Sequence, residues 1–271
     1  MKKVLTTAAT ALLLVAALTM PQVAAAGPGH HHGDPHSDRH PGHRSCQSPG
    51  VLFCEDFEAG RSASRQEPRW DVDADGGTLR IEREGRRNHV AHVRTDGNGR
   101  AFLTVRGLDA PDNTFYGRFR VMVDEFPTSP DWAHFTLVEV TGTGSAEVVR
   151  PFGGQFAPTV GPDATFYGVG ADGGPTGDWT SWRESAPTVA GRWQCVEFSW
   201  DGRHDAIDVW LDGVAQPDLS VSRTDHGGNP VDLVLPDADT VKIGWQLYQE
   251  SAESFDTFLD DIALSTRRVG C

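Results

Sequence analysis

The chain is poor in tyrosine and methionine, with three of each in 271 residues, and it has only four cysteines. It is also short of positive charge: 24 Lys and Arg stand against 38 Asp and Glu, a formal net charge of −14. A nucleic acid or an anionic membrane surface needs a basic footprint, so neither is an expected partner. Beyond the first 26 residues no apolar run is long enough to span a bilayer. There is no Walker motif, no H-E-x-x-H run and no internal repeat. "GVGADG" at Gly168–Gly173 spells G-x-G-x-x-G but lacks the strand-then-helix setting of a dinucleotide site, and reads as a surface loop. No stretch of a dozen residues keeps a 3.6-residue apolar period, which excludes a helical fold.

What is present begins with Lys2 and Lys3, an apolar run, and small residues at Ala24 and Ala26, the pattern of a secretory signal peptide over 1–26. Its removal takes the formal charge to −16, because two lysines leave and no acid does. Residues 27–45, "GPGHHHGDPHSDRHPGHRS", hold six of the eleven histidines and almost nothing apolar, so they read as a disordered tail. The histidines suit Zn²⁺ or Cu²⁺ chemically, but their spacing is irregular and no cage accompanies them. Residues 46–271 have the length of one β domain. All four cysteines lie there, and export favours disulfides. Three connectivities are open. Cys46 with Cys54 closes a short loop and Cys195 with Cys271 staples the last residue to a strand, which favours that pairing.

Short segments alternate apolar with polar residues: "TLRIERE", "AFLTVRGL", "FYGRFRVMVD", "WAHFTLVEV", "QCVEFSW", "AIDVWLDGV", "TVKIGWQLYQ", "FLDDIALS". Thirty glycines and seventeen prolines supply turns between them. The expected fold is all-β, a two-sheet sandwich. In "VKIGWQLY" Val241, Ile243, Trp245 and Leu247 form an apolar row, leaving Lys242, Gly244, Gln246 and Tyr248 on the other face. The same test puts Tyr116, Arg118, Arg120 and Met122 opposite Phe115, Phe119, Val121 and Val123, and His134 and Thr136 opposite Ala133, Phe135 and Leu137. These polar rows hold almost no carboxylate in an acidic chain. On a curved sheet they would line one cleft.

"LFCEDFE", "FYGRFRV" followed by "WAHFTLVE", "KIGWQLYQ" and "FLDDIALS", in this order over residues 51–271, resemble the Cip1-like secreted proteins and the related glucuronan lyases. "KIGWQLYQ" is also similar to a strand of jelly-roll alginate lyases, with Gln246 and Tyr248 in reversed order. The resemblance implies a β-jelly roll (concanavalin A-like), secreted and monomeric, that cleaves an acidic polysaccharide by β-elimination. It also implies a structural calcium near the chain ends, with Glu58, Thr95, Asn98 and Asp260 as the matching donors.

Such a lyase removes the C5 proton of a uronic acid and expels the 4-O-linked sugar. It needs donors against the carboxylate, a base, and an acid for the leaving oxygen. Tyr248 is the expected base, acid or both, its phenol pKa lowered by Lys242 or an arginine; His134 is the alternative base. Arg118, Arg120, Gln246 and Gln155 are expected to bind carboxylate, with Lys242 and Tyr116 beside them. A non-catalytic module for plant or microbial cell-wall polysaccharide is the competing reading, resting on Trp179 and Trp182 in "GDWTSWRE". A glycoside hydrolase would need paired carboxylates such as E-x-D-x-x-E, and no such run occurs.

Overall fold

A computed structural model describes residues 46, 49–58, 70–86, 88–143 and 147–271. The expected signal peptide over 1–26 and the expected tail over 27–45 lie outside the described residues. Among the described residues no helix is long and apolar enough to cross a membrane.

The fold is all-β. Strands are β1 (Val51–Glu55), β2 (Asp71–Glu84), β3 (Asn88–Val105), β4 (Thr114–Val123), β5 (His134–Gly142), β6 (Val148–Phe156) and β7 (Thr165–Asp172). They continue as β8 (Trp179–Pro187), β9 (Gln194–Asp201), β10 (Val209–Leu211), β11 (Val214–Ala215), β12 (Ala238–Leu247) and β13 (Ser254–Ser265). All pairings between them are antiparallel, in the order β11-β10-β9-β4-β13-β3-β12-β5-β6-β7-β8, with β1 on β13 and β2 on β3.

One strand makes two layers out of this path. The first half of β3 pairs with β13 and the second half with β12, while β2 follows its other side along both halves. Between the halves Asp75 faces Arg100 and Gly77 faces Thr95, so residues 96–99 stand against Gly76 alone. Gly76 and Gly97 have φ of +64° and +56°, a region glycine enters without a Cβ clash. A Cβ on Gly99 would lie 2.3 Å from the Gly76 carbonyl oxygen. "TDGN", residues 95–98, is therefore a bend within a continuous strand and not a turn between strands.

The bend turns the inner faces of the two layers toward each other, as a jelly-roll sandwich requires. Phe119 of β4 and Phe152 of β6, far apart in the strand order, meet edge to face at 6.3 Å. Trp245 stacks on Phe135 at 5.1 Å and touches Phe255 of the opposite layer at 5.0 Å. The apolar rows read from β4, β5 and β12 are all in this core. Both disulfides pair as expected, Cys46 with Cys54 and Cys195 with Cys271, at Cα separations of 5.4 and 5.9 Å.

Trp245 is fully buried and its indole N–H has no partner, so its contribution is packing. Trp245→Ala should cost about 3–5 kcal/mol in urea unfolding, the range for a large core truncation. Trp245→Phe should cost clearly less, since it removes an unsatisfied donor along with volume.

Candidate functional site

The outer face of the layer built on β12, β5, β6, β7 and β8 carries most of the polar rows. Cross-strand register runs Gln246, Thr136, Gly153, Gly168 and Trp182 from β12 to β8, with His134, Gln155 and Phe166 in the neighbouring row. Two glycines thus form the floor of a trough, with a polar wall on β12 and β5 and an aromatic wall on β7 and β8.

Tyr248 follows β12, and its backbone N–H donates to the His134 carbonyl at 3.0 Å, so the two residues are neighbours. The Tyr248 hydroxyl donates to Glu139 Oε1 at 2.9 Å, and the Arg150 guanidinium lies 4.9 Å from the ring centroid. Burial and then the Glu139 charge push the phenol well above its ordinary pKa, with Arg150 opposing. The expected lowering is overturned. Lys242 does not act on the phenol because it is committed to Asp73 at 2.8 Å and Glu139 at 3.4 Å. Tyr248 keeps its proton.

Glu139 also corrects the expectation of a face without carboxylates. The β5–β6 register shifts between Thr136 and Val138, so Leu137 and Val138 are both buried and Glu139 turns outward one position off the simple alternation. Asp73 enters from β2, where Lys242 holds its carboxyl below the usual range. Arg150 is buried and donates to the carbonyls of Ala171 and Trp179 at 2.7 and 2.6 Å and to Asp178 at 2.9 Å. Neither Glu139 nor Arg150 was singled out from sequence. A bulge hides the first, and the second sits in an apolar strand that gave no alternation.

His134 is held by Gln249. The His134 backbone N–H donates to Gln249 Oε1 at 2.6 Å, which fixes the amide and points its Nε2 at His134 Nδ1, 2.9 Å away. An amide nitrogen only donates, so Nδ1 accepts and the neutral ring carries its proton on Nε2. Burial and then Arg150 hold the imidazole below its ordinary pKa of 6.5. In this arrangement His134 offers an N–H, not a lone pair. Gln155, buried beside it, spends one amide proton on the Trp132 carbonyl at 3.2 Å and keeps a second.

Tyr116, Arg118 and Arg120 are not in this trough. They lie on β4, whose outer face belongs to the other layer, because residues 124–133 carry the chain across the sandwich before β5. There Arg118 is buried near Asp261 at 3.8 Å, and Arg120 lies over Trp193 at 5.5 Å. Trp179 is buried against His226 and plugs the core, whereas Trp182 faces the trough.

The four expected calcium donors do not converge. Glu58 accepts from the His89 backbone N–H at 2.7 Å and Asp260 from Asn88 Nδ2 at 3.2 Å, so both sit at the start of β3. Thr95 and Asn98 lie seven and ten residues further on, about 20 Å or more at strand rise. Thr95 is buried and Asn98 exposed. Burial and then Asp261 push the Asp260 carboxyl up to about 6. The set does not fit a calcium cage, and no role is assigned to the ion.

No family model matches the chain, and no curated protein matches it. Among solved structures it is similar to botulinum neurotoxin type C, described with two ganglioside molecules, at 6% identity and TM-score 0.49 over 81% of this chain and 48% of that one. It is also similar to a carbohydrate esterase of the Shiga toxin-encoding bacteriophage phi24B, at 13% identity and TM-score 0.48 over 80% and 99% of the two chains. A third similarity is to domain 4 of an arabinanase from Geobacillus stearothermophilus in complex with arabinotriose, at 16% identity and TM-score 0.45 over 81% and 96%. The chain spans about half or less of the neurotoxin and sialidase chains it matches.

The depressed imidazole means that the unfolded chain binds a proton in a window where the native state does not. Stability should therefore fall as pH drops through 6.5 toward the native value and level off below it. His134→Gln should flatten that part of the profile in urea unfolding between pH 7 and 5; parallel profiles for the two proteins would contradict the placement.

Proposed function

We propose that the protein is a secreted, carbohydrate-active jelly roll that cleaves a uronic-acid-containing polysaccharide by β-elimination in the trough. The observation carrying this reading is the Tyr248 hydroxyl seated on Glu139 next to His134, which is locked as an N–H donor. The signal-peptide pattern and the two disulfides support export.

In this reading His134 Nε2–H and the amides of Gln155 and Gln246 hydrogen-bond the substrate carboxylate and make the C5 proton removable. The proton passes to the Tyr248 oxygen while the Tyr248 proton moves to Glu139. The C5 electron pair becomes the C4–C5 double bond as the bond from C4 to the leaving oxygen breaks. That oxygen takes a proton from Tyr248, which recovers its own from Glu139. Tyr248 is base and acid in turn, and Glu139 stores the proton. A phenol of raised pKa suits this, because it is never released as a free phenolate.

A second reading, carbohydrate binding without cleavage, is favoured by one feature. The trough cations Lys242 and Arg150 are already paired within the protein, leaving amides and an imidazole to meet a carboxylate.

Incubation with glucuronan, alginate and pectate, followed by the ultraviolet absorbance of the unsaturated product, separates the two. Tyr248→Phe should lower the rate at least about 100-fold, as loss of a general acid–base group does, and Glu139→Gln should lower it with little change in KM. Product formed by Tyr248→Phe at the wild-type rate would end the elimination reading. Binding with no product from any polymer would leave the second.

A further inference from the structure

Trp132 is an exposed tryptophan in a costly place. It immediately precedes Ala133 and β5, it is 39% exposed, and its φ is +63°, a region that bulky side chains rarely adopt. Gln155 of β6, paired with His134, donates to its carbonyl, which ties this backbone to the trough. Its ring lies 6.5 Å from that of Trp182, tilted by 36°, and Trp182 in turn stacks on Phe166 at 5.3 Å. Phe166 stands in the row of His134 and Gln155, and Trp182 stands in the row of Gln246 and the two floor glycines.

From this we propose that Trp132 and Trp182 form a subsite that stacks a neutral pyranose ring beside the unit held by His134 and Tyr248. The inference rests on the trough as a saccharide site but not on its chemistry. Aromatic faces are apolar and flat, and a pyranose offers them a face of C–H groups while its hydroxyls reach sideways to polar neighbours. Spacing agrees. The trough is four strand separations wide from Gln246 to Trp182, roughly 19 Å, and His134 lies two separations, about 10 Å, from Phe166. That is room for adjacent sugar units on a glycine floor. A neutral ring fits better than a second acid, because the wall is built of ring-to-ring contacts and Arg150 on the trough side is already engaged. The substrate class is then a polysaccharide in which uronic acid and neutral sugar occur side by side.

Titration of the full-length protein with cellohexaose, xylohexaose, mannohexaose and laminarihexaose, read by calorimetry, tests this. At least one hexaose should bind, and Trp132→Ala and Trp182→Ala should each weaken it at least tenfold. Trp210→Ala on the other layer should not, and thermal melts of each variant check that it folds. Because Trp182 also packs on Phe166, Trp132→Ala is the decisive variant. Failure of every hexaose to bind, or wild-type binding by folded Trp132→Ala, overturns the subsite. If the hexaose binds through the two tryptophans and Tyr248→Phe still forms unsaturated product from the uronic-acid polymers at the wild-type rate, the elimination reading fails while the subsite stands.

Discussion

Everything in the sandwich follows from the glycine bend between the two halves of β3. Gly76, Gly97 and Gly99 let one long hairpin change direction without breaking its pairing to β2, and two layers result where a single sheet would otherwise continue. The bend decides which side chains face each other across the core and which are left on each outer surface. It closes Trp245 and Phe135 of one layer against Phe255 of the other. By the same geometry the outer faces of β4 and β12 point away from each other.

The trough is a second consequence, refined by small irregularities. A bulge in β5 turns Glu139, itself buried, toward the outer side beneath Tyr248 and puts two consecutive apolar residues in the core. Gln249, just past β12, sets the tautomer of His134 through its fixed amide. Electrostatics inside the trough are closed pairwise: Lys242 with Asp73 and Glu139, Arg150 with Asp178. A chain of net charge −14 presents here a nearly balanced surface whose free donors are an imidazole N–H and amides. Donors of that kind recognise hydroxyls and single carboxylates by direction, where a cluster of free cations would attract polyanions at long range.

Much of this was legible in the residues. The all-β class, the core rows of β4, β5 and β12, both disulfide pairings, and the presence of His134, Gln246 and Tyr248 on one face follow from period-two alternation and cysteine placement. Alternation says which face of its own strand a residue occupies. It does not say which layer the strand joins, and so Tyr116, Arg118 and Arg120 were grouped with residues on the far side of the sandwich. It also assumes an unbroken register, and so Glu139 was missed. "TDGN" has the composition of a turn, yet only its pairing to β2 reveals a bend, which separates Thr95 and Asn98 from Glu58 and Asp260.

The sequence by itself determined the fold class, the core and the polar stock of the site, because side-chain direction in a strand is a local property of the backbone. Only the tertiary structure decided the partners: Tyr248 with Glu139, Lys242 with Asp73, Trp132 with Trp182. Those meetings depend on strand order, bulges and the bend in β3, which are settled by long-range packing. The direction of the tyrosine pKa shift followed from them too, since burial and a neighbouring carboxylate outweigh a lysine that has already found other partners.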